Sequence, residues 1–226
     1  MEKTLEVRWF FKELPPTVVE HWFKFKCPGK FVHEIEIRKD WYACQQHYDL
    51  RRSLKHLSRS LDRESINFKS REGNLELKLR QQKLGTHQLY LPQHSYCCEG
   101  NIEQWCKFSQ QELKELNFNH DTDKIAWIGV EKERQQKVER GVKSELTKLR
   151  LDRDRLINSK HRWWTIAFEM SQNESDRRSY SYFTQVVEQA CETYPEPQLL
   201  ATNSYSYSHW LLESDRTIPS QENSTN

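Results

Sequence analysis

The chain has 226 residues, 35% of them hydrophobic and 30% charged, and its 35 basic and 33 acidic side chains leave a formal charge of +2. So near a balance excludes the overall positive field that drives nonspecific nucleic-acid binding, and any anion site must come from local arrangement. No apolar run approaches the length of a membrane span and Met1 to Leu5 lacks a signal peptide's apolar core, so the expectation is a cytoplasmic protein with reduced thiols and no membrane partner.

The apolar fraction is low for a globular protein, yet 8 Trp, 9 Tyr and 10 Phe supply large burial per residue. Ser214 to Asn226 has the composition of a disordered tail, which leaves 1–213 as one domain. Six cysteines have no evident framework to staple in a domain of this size. His94, Cys97, Cys98 and Cys106 come nearest to a zinc set, but their spacing matches no closed Cys/His module, and ordinary loop and core cysteines are the simpler reading.

In chain order, Leu5, Val7, Trp9 and Phe11 alternate with Glu6, Arg8 and Phe10, a first strand that Pro15 and Pro16 end. Val18, Val19, Trp22 and Phe23 then recur at helical spacing over Thr17 to Phe25, with Thr17 placed to cap. The next strand puts Phe31, Ile35, Ile37 and Trp41 on one face and Glu34, Glu36, Arg38, Asp40 and Tyr42 on the other. Glu34 and Glu36 sit close enough to share a divalent cation, or else belong to a solvated face of alternating charge. Leucines 50, 54, 57 and 61 give Asp49 to Glu64 the look of a basic amphipathic helix.

The stretch Ile66 to Gln82 is the most informative. Ile66 and Phe68 alternate with Asn67, Lys69 and Arg71, and Leu75, Leu77 and Leu79 alternate with Glu76, Lys78 and Arg80. Glu72-Gly73-Asn74 between them is a tight turn, with Gly73 and Asn74 suited to positive φ. The resulting hairpin gathers Lys69, Arg71, Lys78 and Arg80 on one polar face with Glu76 among them. The bland alternative for Lys78 and Arg80 is a solvated strand edge.

Gly85 to Phe108 mixes aromatic, polar and turn-forming residues and is read as a long connection. Phe108 to Phe118 suits a helix capped by Ser109, and His120 to Asp123 a turn. Lys124 to Val138 and Ser144 to Leu151 read as strands, as does Arg162 to Glu169 beyond a polar turn at Asp152 to Lys160. On the first of these, Lys132 and Arg134 share a face with Ile128 and Val130. Tyr182, Phe183, Val186, Val187, Ala190 and Cys191 stripe a helix over Asp176 to Thr193 that Pro195 and Pro197 stop, and Ser204 to Leu212 reads as a last strand. No internal repeat and no glycine-rich phosphate loop is present.

Several strands thus carry one apolar face and one face mixing Arg or Lys with Glu. If the sheet closes, its edges disappear and those faces converge on an interior too polar to be a core, which a multiply charged anion would balance. The expected fold is α+β and mainly antiparallel β, a closed or nearly closed eight-stranded tunnel-like barrel with flanking helices.

The order of Thr-Leu-Glu-Val-Arg-Trp at 4–9, Lys-Ser-Arg-Glu-Gly-Asn-Leu-Glu-Leu-Lys at 69–78, Val-Glu-Lys-Glu-Arg at 130–134 and Ser-Glu-Leu-Thr at 144–147, followed by a late helix, resembles the CYTH-like superfamily. These are eight-stranded antiparallel tunnels that bind triphosphate or related phosphorylated compounds, with Mg²⁺ or Mn²⁺ held by a first-strand Glu-x-Glu-x-Lys. Here those positions read Thr4, Glu6 and Arg8, so the first carboxylate is a hydroxyl; Glu34 to Arg38 fits the spacing but lies in the second strand. The resemblance implies that Arg8, Lys69, Arg71, Lys78, Arg80, Lys132 and Arg134 contact phosphate. It implies that Glu6, Glu76, Glu145 and Glu169 hold a metal or balance those bases.

Two functions follow as expectations. One is binding, with metal-dependent hydrolysis, of a phosphorylated small molecule such as a triphosphate or nucleotide-like compound. The other is a noncatalytic barrel that carries a ligand or contacts a protein through Trp41, Trp163, Trp164 and the Asp49 to Glu64 segment. A third, single-stranded nucleic-acid binding on a basic aromatic sheet, is disfavoured by the near-zero charge balance, and a homodimer stays open.

Overall fold

Strand β1 (Glu2–Lys12) sets the plan: Leu5, Val7, Trp9 and Phe11 point to one side and Thr4, Glu6, Arg8 and Phe10 to the other. In the computed structural model, which describes residues 1–43, 54, 62–90, 97–116, 118, 125–152, 162–172 and 178–216, eight antiparallel strands close around the second set. The others are β3 (Glu36–Ala43), β4 (Ile66–Arg71), β5 (Asn74–Tyr90), β6 (Cys97–Ser109), β7 (Trp127–Glu139), β8 (Val142–Leu151) and β9 (Trp163–Gln172). Around the barrel the order is β7-β3-β4-β5-β6-β1-β9-β8, and β8 pairs again with β7, so no edge of the barrel is left open. A two-residue β2 (Lys30–Phe31) extends the sheet beside β7.

The main apolar core lies outside the barrel wall. The odd side of β1 meets Leu146, Ile166 and Phe168 of β8 and β9 under α1 (Thr17–Phe25) and α3 (Ser179–Thr193), which contribute Val19, Trp22, Phe23, Phe183, Val186 and Val187. At roughly 1.5–3 kcal/mol for each fully buried side chain of this size, these layers stabilise the wall and leave its inner face free for polar groups. A second cluster covers the outer face of β4 to β6 with Ile66, Phe68, Leu77, Leu79 and Phe108, joined by Leu113 of α2 (Gln110–Glu115). Gly100 is packed so closely that a Cβ there would fall 2.4 Å from the Trp9 ring.

A third cluster sits inside, at one end. Phe10, Val130, Leu149 and Leu151 point inward there and meet Trp210 and Leu211 of α4 (Tyr207–Arg216). The chain reaches this end by filling the seam where β1 and β6 diverge: Ser204 bridges to Trp9, the Tyr205 amide donates to the Arg8 carbonyl (3.2 Å), and Asn101 Nδ2 donates to the Ser204 carbonyl (2.8 Å).

Several expectations are corrected. Ser204 to Leu212 is a bridge and a helix rather than a strand, because Tyr207, Trp210 and Leu211 at helical spacing insert among inward aromatic groups. Of the stretch taken as a connection, Gly85 to Phe108, the described residues 85–90 and 97–108 are strand, paired with one another in β5 and β6. The Phe31 to Tyr42 strand is split into β2 and β3, and its faces are inverted: Ile37 is 81% exposed and Trp41 39% exposed, while Asp40 and Tyr42 are buried inside. The turn residues of β4–β5 are Glu72 (φ 50°) and Gly73 (φ 79°), not Gly73 and Asn74, since Arg71 pairs directly with Asn74. Pro16, not Thr17, occupies the cap position of α1.

Ser109 does cap α2, in a reciprocal pair with Glu112. His94, the 120–123 turn, most of the 49–64 segment and of the 152–160 turn, and 217–226 of the expected tail lie outside the described residues; Ser214 to Arg216 close α4. No described helix is long and apolar enough to cross a membrane.

Candidate functional site

The inward side chains line one cavity of about 220 Å³. Six of the seven basic residues expected at the site are in its wall: Arg8 from β1, Lys69 and Arg71 from β4, Lys78 from β5, and Lys132 and Arg134 from β7. All four glutamates, Glu6, Glu76, Glu145 and Glu169, line it too. Arg80 does not; its Nη1 donates to Glu103 (2.8 Å), its Nη2 reaches Asp62 (3.2 Å), and it lies over the Trp105 ring.

Three further bases complete the wall: Arg38, Lys107 and Lys143. Arg38 lies on the polar face of β3 that the sequence displays by alternation. Lys107 falls in the stretch taken for a connection, and Lys143 is a lone lysine at the start of β8. Nine basic side chains therefore face four acidic ones. Behind the wall, fully buried, lies Asp40.

Asp40 organises the deepest cations. Its carboxylate accepts from Lys132 Nζ (2.8 Å) and Arg71 Nε (2.9 Å), with Arg38 Nε at 3.6 Å. Burial alone would raise its pKa, but Lys132, Lys69 and Arg38 hold it far below the usual carboxylate range. Lys132 also donates to the Tyr42 hydroxyl (2.6 Å) and rests over the Tyr207 ring (4.1 Å). Burial, with Arg38 and Arg8 nearby, lowers the Lys132 ammonium to about 7 even though Asp40 supports its charge. With two arginines also serving Asp40, the carboxylate stays ionised whichever state Lys132 takes. Lys69, 2.7 Å from Glu76, is likewise brought to about 7, chiefly by burial and then against Glu76 by Lys132 and Arg71.

On the opposite wall Glu6 and Glu169 stand directly across from each other on paired strands. Lys78 Nζ donates to Glu6 (2.5 Å) and lies 3.5 Å from Glu169, and Thr4 Oγ1 donates to Glu6 (2.9 Å). Burial pushes Glu6 up, but Lys78 outweighs it and the net shift is down; Glu169, buried and beside Glu6 and Glu145, is shifted up. Lys78 is shifted up despite its burial because both carboxylates favour its charge. Glu145 lies 3.6 Å from Arg8 and 3.4 Å from Arg134, and Glu76 is flanked by Lys69 and Lys107. Each falls to about 2, burial being outweighed by these bases.

Among the described residues no three His, Cys, Asp or Glu side chains are gathered so as to hold a metal ion by themselves. Glu6 and Glu169 are the pair nearest to such a role. Glu36 pairs with Arg38 and Arg134 at the rim, and Glu34 is exposed, so that pair of carboxylates does not meet. Cys98 and Cys106 are buried in the two outer clusters.

No family model and no curated protein sequence matches the chain. Solved structures with a similar arrangement include a conserved hypothetical protein from Pyrococcus furiosus, at 10% identity and TM-score 0.43 over 91% of this chain and 98% of that one. The Pct1 RNA triphosphatase of S. pombe matches at 9% identity and TM-score 0.45, over 87% of this chain and 85% of that one. A putative adenylate cyclase from Bacillus halodurans matches at 12% identity and TM-score 0.37, over 86% and 95%. At these values none of them carries an argument about chemistry, which rests on the cavity itself.

Proposed function

We propose that the chain is a divergent CYTH-like triphosphate tunnel protein whose barrel binds a phosphorylated small molecule by its phosphate chain. The observation that carries this reading is the excess of nine basic over four acidic side chains around one 220 Å³ cavity. Asp40 behind the wall and Glu36 at its rim offset part of this excess, and a multiply charged anion supplies the rest of the balancing charge. Arg8, Lys69, Lys78, Lys132 and Arg134 come from four different strands of a rigid wall, so they meet the ligand already positioned, with little reorganisation.

Hydrolysis is the second part of the reading. Glu6 and Glu169 fit a Mg²⁺ or Mn²⁺ that arrives with the phosphate, because such ions commonly use one or two carboxylates and take the rest of their ligands from phosphate oxygens and water. A metal held there would supply charge neutralisation and general Lewis-acid assistance to attack at phosphorus. The chain's own residues have separate tasks: Lys78 releases Glu6 and turns to the phosphate, Thr4 keeps Glu6 oriented, and Arg8 and Lys132 draw in the terminal phosphoryl group. The noncatalytic carrier keeps a claim because every one of the four glutamates is already engaged by a cation and Thr4 stands where a third carboxylate is expected.

Thermal-shift measurements with tripolyphosphate, with and without Mg²⁺ or Mn²⁺, and assay of released phosphate test both parts. Binding at 100 times Kd stabilises by about 2.7 kcal/mol, and the effect disappears in Arg8→Ala. Absence of any shift with tripolyphosphate or nucleoside triphosphates overturns the reading; a shift without phosphate release assigns the carrier.

A further inference from the structure

We propose that the turn joining α1 to β2 is an interfacial anchor that rests on a membrane surface rich in anionic lipid. It goes beyond the reading of the cavity and does not depend on it.

Residues 24–35 read Lys-Phe-Lys-Cys-Pro-Gly-Lys-Phe-Val-His-Glu-Ile, three lysines against one carboxylate, with apolar groups between them. Phe25 is 63% exposed, and Phe31, Val32 and Ile35 are each about half exposed. Single apolar side chains on a surface are ordinary, but four of them along one turn make a patch. Among the described residues no carboxylate pairs with Lys24, Lys26 or Lys30, so their charge is left to meet anions from outside. Lys24 Nζ lies 5.1 Å from the Phe25 ring, which keeps base and ring on the same outer surface.

The turn is fixed to the end of β7. Lys137 Nζ donates to the Cys27 carbonyl (2.8 Å) and lies 4.9 Å from the Phe31 ring, and the Val32 amide donates to the Gln136 carbonyl (3.1 Å). A Cβ on Gly29 would fall 2.7 Å from the Val138 carbonyl oxygen, so the chain passes too close there for any other residue. Lys30 pairs with Val138 from one side and Lys143 of the cavity wall pairs with it from the other, which puts both lysines on one face of the sheet. This is the open end of the cavity, where Lys143 is exposed and Arg71 and Lys107 are about one-third exposed.

A chain with no membrane-crossing helix can still lie on a bilayer. Phe25 and Phe31 suit the boundary between headgroups and acyl chains, and the lysines beside them suit anionic headgroups. A protein partner is the poorer match, because the centre of a protein interface is depleted in lysine. Seated this way, the barrel holds its open end beside the lipid surface.

Flotation with vesicles of equal parts phosphatidylcholine and phosphatidylserine, against vesicles of phosphatidylcholine alone, is the test. The protein floats with the mixed vesicles and not with the neutral ones, and added salt releases it. Joint replacement Lys24→Gln, Lys26→Gln and Lys30→Gln weakens binding roughly a hundredfold, at about fivefold for each lysine. Phe25→Ser, at a mostly exposed position, weakens it about tenfold and leaves the tripolyphosphate thermal shift as in wild type. Phe25→Trp adds an emission that brominated lipid quenches. Failure to float with the mixed vesicles overturns the anchor, and so does flotation that the lysine and Phe25 variants all retain. A dimer in sedimentation equilibrium that Phe25→Ser dissolves, without flotation of the wild type, assigns the face to a second copy and overturns it as well.

Discussion

Lys78 and Glu6 approach to 2.5 Å inside the barrel, and the same ammonium lies 3.5 Å from Glu169, so one cation holds two carboxylates that face each other across β1 and β9. Removing one member of a buried pair leaves the others uncompensated, at a cost of about 3–5 kcal/mol. Lys78→Met is expected to lower the melting temperature by roughly 6–20 °C in a protein of this size. Adding Glu6→Gln to Lys78→Met should recover part of the loss. A thermal melt of Lys78→Met indistinguishable from wild type would contradict the pairing.

Affinity for phosphate should fall as pH rises. Lys69 and Lys132 are both brought to about 7, first of all by burial. Each is charged and attractive to an anion below that value and neutral above it. Tripolyphosphate affinity measured by calorimetry is thus expected to weaken between pH 6 and 8, with protons taken up on binding, and to vary less in Lys69→Arg. The effect of these lysines on stability has the opposite sign: above 7 the unfolded chain binds more protons than the folded one, so their contribution rises with pH toward 10.5. A rise in affinity across that window would refute the assignment.

Asp40 neutralises the deepest cations of the cavity, since Lys132, Arg71 and Arg38 turn to it. Asp40→Asn should destabilise the empty protein by about 3–5 kcal/mol through unpaired buried cations. Phosphate should restore more stability to this variant than to wild type. The two melting-temperature increments at equal phosphate concentration measure this, and an increment no larger in Asp40→Asn counts against it.

Acid should unfold the barrel between about pH 4.5 and 2. Glu145 and Glu76 are each displaced from 4.5 to about 2, burial being outweighed by the bases beside them. A depressed carboxylate contributes above its unfolded pKa and loses that contribution as pH falls through the folded one, here on the order of 3 kcal/mol per group. Denaturant melts of Glu145→Gln should show lower stability at pH 7 and a shallower loss toward pH 3 than wild type.

The β4–β5 turn holds Glu72 at φ 50°, where a non-glycine residue is strained. Glu72→Asn is expected to gain about 0.5–1 kcal/mol, as Asn suits the first position of such a turn. Urea denaturation reads the difference; a loss of stability would contradict the strain at this position.

Where one face of a strand is apolar and the other charged, as in β1 and in the β4–β5 hairpin, alternation alone located the wall and most of the cavity residues. The same alternation in β3 misled about which face is inside, because Ile37 and Trp41 lie on an uncovered outer face while Arg38, Asp40 and Tyr42 face inward. Hydrophobicity decides burial only where something is available to do the covering. The β5–β6 extension is not legible in the sequence because register shifts at Gln81 and Leu84 break the period of β5, and Lys107, which lies on its partner strand, is hidden with it. Ser204 to Leu212 reads as a strand because Tyr205 and Tyr207 alternate with serines; the spacing of Tyr207, Trp210 and Leu211 is the signal for a helix.

Because residues 199–211 both fill the β1–β6 seam and place Tyr207, Trp210 and Leu211 at one end of the barrel, the cavity is completed by a stretch that is synthesised after all of the barrel's strands. A nascent polypeptide lacking them would hold its wall of positive charge around an unsealed bore. Its final assembly must therefore wait until this stretch has cleared the ribosome, and premature termination near residue 200 would yield a leaky cylinder rather than a shortened version of the same receptacle.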